Sequence, residues 1–306
     1  MFLKNTIYII GSSNTDMVIK TPKLPMPGET VLGRDFLMNA GGKGANQAVA
    51  AARLGGNVVF VAKVGDDIFG KQALSQFVKE KINIQYVTTD PHHPSGVALI
   101  NVDANGENCI SVAAGANGFL SETDISPVFE EMTSNDILLL QLEIPLSTVV
   151  YAIQKAHEKG VRIILNPAPM TATLSHKILE CLYLITPNET EAQLLTGIEV
   201  NDEVSAKAAC QQLVVKGIAN VIVTLGAKGA YLQTQSYVKQ LPAPIVKAVD
   251  TTAAGDCFNG ALVVAIAEGK SLEEAAIFAT KAASISVTRM GAQASMPYRQ
   301  ELEELL

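Results

Sequence analysis

Tryptophan is absent from this sequence, and only four cysteines occur in 306 residues. Cys109, Cys181, Cys210 and Cys257 share no CxxC or other metal-binding spacing, which excludes a zinc ribbon and a disulfide framework. Reduced thiols and a cytoplasmic location are the expectation. His92, His93, His157 and His176 show no HExxH-like pairing, so no metal is assigned to them. Long apolar runs are lacking too: stretches such as Ile137 to Leu140 are strand-length, against about 20 residues for a membrane span. The opening MFLKNTIYIIGSS has an apolar run with no cleavage site behind it and reads as a first strand, not a leader. Positive charge is in deficit. Lys+Arg number 23 against 30 Asp+Glu, a net −7, which argues against a general nucleic-acid surface. Neither a nucleic acid nor a membrane is expected as partner.

What the chain has is apolar bulk. At 48% hydrophobic residues it can bury a large core without staples, and 306 residues fit one large domain carrying a small appendage. From about residue 120 the pattern alternates. DILLLQLE (136–143) reads as a strand buried on both faces, and STVVYAIQKAHEKG (147–160) as a helix stopping on Gly160. Strands follow at 161–169 and 180–188, helices at 189–197 and 202–217, and a strand at 219–229 that runs into a glycine-bearing turn. The end is helical: 254–268, 271–288 and 298–305. Strand and helix in this rhythm predict βαβ units, hence an α/β fold on a parallel sheet.

The first third breaks that rhythm. Residues 16–40, with Pro22, Pro25 and Pro27, alternate apolar and polar side chains, as do residues 95–114, which are expected to form a hairpin turning at Asn105-Gly106. The two pieces, about 14–40 and 95–114, are read as a small β-sheet projecting from a single 1–306 domain.

In α/β sheets ligands bind beyond the carboxyl ends of strands, where helices start. Five unusual segments fall at such places. GSSNTD (11–16) follows the first strand, and Asn14 and Asp16 there either hold hydroxyl groups or make an Asx turn. NAGGKGANQ (39–47) brings Gly41, Gly42 and Gly44 to the start of an alanine-rich helix. It is not a phosphate loop of the GxxxxGK[ST] kind, because no Gly precedes the GK by five residues and no Ser or Thr follows. Nor is it GxGxxG, since position 47 is Gln. Tight helix packing explains the alanines but not Lys43, a cation placed against the helix dipole, nor Asn46. TPNETEA (186–192) opens a helix with Asn188, Glu189 and Glu191, which taken alone are ordinary first-turn residues. VTLGAKG (223–229) ends a strand with Thr224 and Gly226.

The fifth segment is DTTAAGDCFNG (250–260). Amides of Ala253, Ala254 and Gly255, unshielded by bulk, precede a helix and form a nest for an anion. Asp256 stands beside that nest. It either stabilises the helix start by roughly 0.3–1 kcal/mol or accepts a proton from a nucleophile attacking a bound phosphoryl group.

Together, GGKGANQ, TPNETEA and DTTAAGDCFNG, with GSSNTD, AGAN (114–117) and VTRMGAQAS (287–295), resemble the ribokinase family of carbohydrate kinases of the phosphofructokinase-B type, from about residue 6 to the C-terminus. The resemblance implies a Rossmann-like, mostly parallel sheet flanked by helices, with the small sheet as lid and dimer clasp. It implies transfer of the ATP γ-phosphate to the primary hydroxyl of D-ribose, giving ribose 5-phosphate. On matching positions the sugar contacts are Asn14, Asp16, Gly42, Lys43, Asn46 and Glu143. Asp256 is then the base, with the 253–255 amides as anion hole. ATP lies along Asn188, Thr224, Gly226, Lys228, Gly229 and Gly255, with Thr280 nearby. Asn188 and Glu191 match an NxxE motif tied to magnesium. A potassium ion is implied at Asp250, Thr252, Ser286, Arg289, Gly291 and Ser295. Cys257 is either a thiol sensitised by a helix N-terminus or a small residue packed on the sheet. A kinase for 2-deoxyribose or another furanose shares every phosphate-handling residue and remains the alternative. A non-catalytic sugar-binding regulator would be expected to lose the acid after Gly255, and a dehydrogenase would need GxGxxG.

Overall fold

The computed structural model describes residues 5–170 and 174–303. In chain order its strands are β1 (Thr6–Ile10), β2 (Asn14–Lys20), β3 (Asp35–Gly41), β4 (Asn57–Gly65), β5 (Asn83–Asp90), β6 (Gly96–Val102), β7 (Asn108–Ala113), β8 (Ile137–Leu140), β9 (Arg162–Leu165), β10 (Leu184–Ile185), β11 (Val221–Thr224), β12 (Ala230–Gln233) and β13 (Val238–Leu241). Helices of eight or more residues are α1 (Lys43–Arg53), α2 (Ile68–Lys79), α3 (Leu146–Glu158), α4 (Glu189–Thr196), α5 (Glu203–Val215), α6 (Ala254–Ala267) and α7 (Leu272–Ser286).

Nine strands form one sheet in the order β13-β12-β11-β10-β9-β8-β1-β4-β5. Every pair from β11 to β5 is parallel, and β12 and β13 run antiparallel at one edge. The mostly parallel sheet expected of the repeating βα rhythm is therefore present. Strand alternation splits β1 between two cores. Ile7 and Ile9 pack with α1, α6 and α7, whereas Tyr8 and Ile10 pack with α3 and α5. Strand order reverses beside β1, so the carboxyl ends of β1, β8, β9, β10 and β11 open onto one crevice.

The strand expected over 180–188 shrinks to Leu184–Ile185. A short helix at 176–179 runs into a turn at 180–181, which delays the strand's start, and Pro187 has no N–H to continue a ladder. A helix spans Arg299–Glu303 of the expected 298–305, and residues 304 and 305 lie outside the described residues.

The remaining four strands pair as β3-β2-β6-β7, the small second sheet read from 14–40 and 95–114. Its β6–β7 hairpin does turn at Asn105-Gly106, with Gly106 at φ 85, but through a five-residue loop. The Asp103 carboxylate accepts from the amides of Asn105 (2.8 Å) and Glu107 (3.0 Å), and this holds the wider turn.

Candidate active site

Close packing of α1 on α6 builds the centre of the site. Gly260 faces Ala50 and the Gln47 carbonyl so closely that a β-carbon there would lie 2.6 and 2.7 Å from them. That approach brings the first turns of both helices together. Asn46 donates to Asp256 Oδ2 at 2.9 Å, and Gln47 donates to Asp256 Oδ1 at 3.0 Å. Asp256 is only 6% exposed, and burial pushes its carboxyl up from the ordinary range. The ammonium of Lys43 and the two amides pull the other way. Lys43 opens α1 with no acid in that turn. Burial works against its charge, but Asp256, Glu143, Glu191 and Asp16 outweigh that and hold its pKa above the usual lysine value.

A second group lines the small sheet. Asn14 and Asp16 sit on β2, opposite Gly41 and Asn39 of β3. Asp16 is pushed up to about 6 by burial and then by Glu143 and Asp256, with Lys43 opposing. Asn14 Oδ1 accepts from Asn117 Nδ2 at 2.8 Å, while Asn117 Oδ1 takes the Ser13 amide at 2.8 Å. A β-carbon on Gly96 would fall on this amide pair. Gly42 has φ 87 and stands 2.7 Å, measured to the β-carbon it lacks, from the Asn14 nitrogen, so glycine is needed there on both counts. Glu143, just past β8, accepts from Ser12 Oγ (2.5 Å) and the Lys43 amide (2.9 Å). It thereby ties the β1 end to the start of α1.

Toward α6 a cavity of about 180 Å³ is walled by Lys43, Asn188, Glu191, Thr224, Ala253 to Asp256 and neighbours. Ala253 adopts φ 58, left-handed for a residue with a side chain. The Ala254 amide donates to the Thr251 carbonyl at 3.2 Å. Of the nest expected from residues 253, 254 and 255, the Ala254 amide is thus engaged, and the amides without a partner among the described residues are those of Ala253, Gly255 and Asp256. Asn188 and Glu191 make a reciprocal capping box, with Glu191 N donating to Asn188 Oδ1 (2.8 Å) and Asn188 N to Glu191 Oε2 (2.9 Å). Burial raises the Glu191 pKa, while Asn188 and Lys43 lower it. The plain capping role and a place on the cavity wall coexist in this pair.

Residues 4–299 match the profile of the pfkB family carbohydrate kinases. A ribokinase of Haemophilus influenzae is 46% identical over 304 residues, covering 99% of each chain. The chain belongs to the pfkB family of carbohydrate kinases. A deoxyribokinase of Salmonella typhi is 40% identical over 300 residues and 98% of each chain. The structure of Arabidopsis thaliana ribokinase complexed with ribose and ATP superposes with a TM-score of 0.90, at 33% identity over 99% of each chain.

Within this pfkB-family fold the remaining expected residues scatter. Thr224 bridges to Asn188 across the cavity wall, and Gly226 to Lys228 form the turn after β11. Lys228 Nζ donates to the Asn201 carbonyl at 3.0 Å. Gly229, φ 92, is bare because a β-carbon would strike the Leu241 carbonyl, which is a packing reason. Thr280 gives its hydroxyl to Ala276 O at 2.8 Å and does not line the cavity by α6. Asp250 accepts from Thr252 N (2.9 Å) and Gly291 N (2.8 Å), joining the two loops expected to hold a cation. Burial pushes its carboxyl up, but these bonds win and hold it below the usual range. Ser295 and Ser286 hydroxyls donate to Ala292 O and Ala283 O, both at 2.9 Å. Cys257 is fully buried in the core with its thiol pushed up to about 12, which is the packed-residue reading.

Sequence reasoning missed a buried polar layer beneath these groups. Gln141, Asn166 and Thr186 directly follow β8, β9 and β10, and Asn259 lies one turn along α6. Thr186 Oγ1 donates to Asn259 Oδ1 at 2.6 Å, and Asn259 Nδ2 to Gly255 O at 2.8 Å. The signal was there: each strand run ends on a polar side chain facing the crevice.

Proposed function

We propose that this pfkB-family kinase transfers the γ-phosphoryl group of ATP to O5 of D-ribose, giving D-ribose 5-phosphate and ADP. The observation that carries this is the position of Asp256. It lies between the polar groups of the small sheet and the cavity with unpartnered amides, buried and held by two amide donors. The sugar rests against Asn14, Asp16, Gly42, Lys43, Asn46 and Glu143. Asp256 accepts the O5 proton as that oxygen attacks the γ-phosphorus, and the bond to the β–γ bridging oxygen breaks. The Ala253, Gly255 and Asp256 amides and Lys43 meet the charge on the transferring group. The nucleotide lies along Asn188, Thr224, Gly226, Lys228, Gly229 and Gly255.

Magnesium would neutralise phosphoryl oxygens near Asn188 and Glu191, and the residues fit it because Glu191 Oε1 has no hydrogen-bond partner among the described residues while Oε2 accepts from Asn188 N. Potassium would order the 250–252 and 286–295 loops, held by oxygens of Asp250, Thr252, Ser286, Arg289, Gly291 and Ser295. These loops already meet through Val249 N to Val287 O at 2.7 Å, and hard oxygen donors suit that ion. The small sheet serves as lid and, through its exposed Phe36, Leu99, Ile110 and Val112, as the contact of a homodimer. No helix among the described residues is long and apolar enough to cross a membrane, and we place the enzyme in the cytoplasm.

The deoxyribokinase relative supports a second reading, 2-deoxyribose as substrate. Ribose is preferred because Asn14 and Asp16 side by side on β2 can satisfy vicinal hydroxyls. A coupled ADP-release assay across ribose, deoxyribose, fructose and adenosine, with and without potassium, decides. A kcat/KM for deoxyribose or another acceptor well above that for ribose overturns the assignment.

A further inference from the structure

Asp256 is held by one amide that belongs to no sugar or phosphate contact. Gln47, fully buried on α1, gives one Nε2 hydrogen to Asp256 Oδ1 (3.0 Å) and the other to Asn166 Oδ1 (3.1 Å). Its own Oε1 accepts from Gln141 Nε2 at 2.6 Å. These bonds fix which way the Gln47 amide faces. Turned over, it would set Oε1 against the oxygens of Asp256 and Asn166, and its NH₂ against the NH₂ of Gln141.

Gln141 is itself fully buried past β8, with its Oε1 unpaired. Room for that oxygen exists only because Gly11 has no β-carbon, which would otherwise collide with it. A buried amide oxygen without a partner is destabilising, and two apolar side chains of similar volume would avoid that loss. The pair therefore has a role outside folding, and the charged group it hydrogen-bonds among the described residues is Asp256.

We propose that Gln47 is a positioning residue for Asp256, and that Gln141 fixes the Gln47 amide with its donors toward the carboxylate. This rests on the reading of Asp256 as the base. Through the second Nε2 hydrogen, the same amide sets that carboxylate against Asn166 on the wall of the phosphate cavity. The groups facing Asp256 come from four elements: Lys43 on α1, Glu143 past β8, Asp16 on β2 and Glu191 on α4. Three of the four are carboxylates and favour a protonated Asp256. Donors from Asn46 and Gln47 oppose them, so removing Gln47 makes the base harder to ionise.

The test is kcat against pH at saturating ATP and ribose for the wild-type enzyme, Gln47→Met, Gln141→Met and the double variant, with Asp256→Asn alongside. Methionine keeps the side-chain length and removes the amide. Gln47→Met is expected to lower kcat roughly 10- to 100-fold by misaiming the base. The ribose KM should stay within about threefold, and the acid limb of kcat should move up by about one pH unit. Gln141→Met should shift the limb the same way by less, and add nothing in the Gln47→Met background. An acid limb that stays in place in Gln47→Met overturns the proposal whatever happens to kcat. Should that variant not fold, an unmoved limb in Gln141→Met does the same. Wild-type turnover by Asp256→Asn would instead remove the base itself, an outcome separate from any result on the glutamines.

Discussion

Gly41 and Asp16 contend for one space: a β-carbon on Gly41 would fall on the Asp16 carboxylate. The two sit on paired strands, β3 and β2, and the bare α-carbon lets the carboxylate lie against the sheet. Gly41→Ala is therefore expected to displace Asp16 while sparing the cavity by α6. Ribose affinity by calorimetry should fall roughly tenfold, about 1.4 kcal/mol, with ATP affinity unchanged. An unchanged ribose Kd would mean that the Asp16 carboxylate does not hold the sugar from this position.

Asp16 also carries a pH signature. Its carboxyl is raised from 3.8 to about 6, so the folded chain binds this proton more tightly than the unfolded chain does. Between those values stability falls as pH rises, because ionising Asp16 in the fold is disfavoured. Sugar binding runs the other way, since the ionised form is the better acceptor for hydroxyls. As pH drops from 7 to 5, ribose affinity should weaken through about 6 while this group's contribution to stability grows. Asp16→Asn should flatten the affinity profile and take this contribution out of the pH dependence of Tm. A sloping affinity profile in that variant would assign the titration to another group.

Asp256→Asn tests the chemistry directly. The amide is close in shape and cannot take a proton, so ribose binding should stay within a few-fold while kcat drops roughly 10²- to 10⁴-fold. Asn46 and Gln47 would then each face either an NH₂ or a carbonyl, so calorimetry on ribose checks that the site has held its form. Near wild-type turnover would take Asp256 out of the mechanism.

Much of this was legible in the chain because its signals are local. Apolar runs such as Ile137 to Leu140, each followed by a helical stretch, declare a buried parallel strand, and Asn105-Gly106 declares a hairpin. Lys43 at a helix start signals a ligand because nothing local justifies a cation there. Less legible was anything set by strands far apart in sequence. Gln47 reads as a break in a glycine motif until α6 and β9 are packed beside it. Ala254 looks like a free amide until Ala253 turns left-handed and the Thr251 carbonyl closes on it. Thr280 sits where a ligand contact is implied, yet its hydroxyl turns back to Ala276. The stop of β10 was visible locally in Pro187, whereas its late start, behind the short helix at 176–179, was not.

Thiol chemistry distinguishes the two readings of Cys257. Burial pushes both Cys257 and Cys210 up to about 12, while Cys109 is exposed on β7. Thiolate is the reactive form, so iodoacetamide should label Cys109 first and leave Cys257 untouched in the folded protein. In Cys109→Ser, activity should survive the same treatment. Rapid inactivation with an adduct mapped to Cys257 would show a reactive thiol beside Asp256.

Asp250 gives the cation reading a test that does not depend on turnover. Its two oxygens already hold Thr252 N and Gly291 N, so the carboxylate organises both loops whether or not an ion joins them. An ion that binds only the folded protein adds RT ln(1 + [L]/Kd), about 1.4 kcal/mol at ten times Kd. For a chain of this size that is a rise in Tm of roughly 2–4 °C. Potassium should produce this rise and increase kcat, whereas tetramethylammonium, too large for a ring of carbonyl oxygens, should do neither. Asp250→Ala loses the charge and both loop bonds, so its Tm should start lower and respond equally little to either cation. A potassium-induced rise in Tm that persists in Asp250→Ala would place the ion elsewhere, and equal rates in the two salts would leave the loops with a purely structural role.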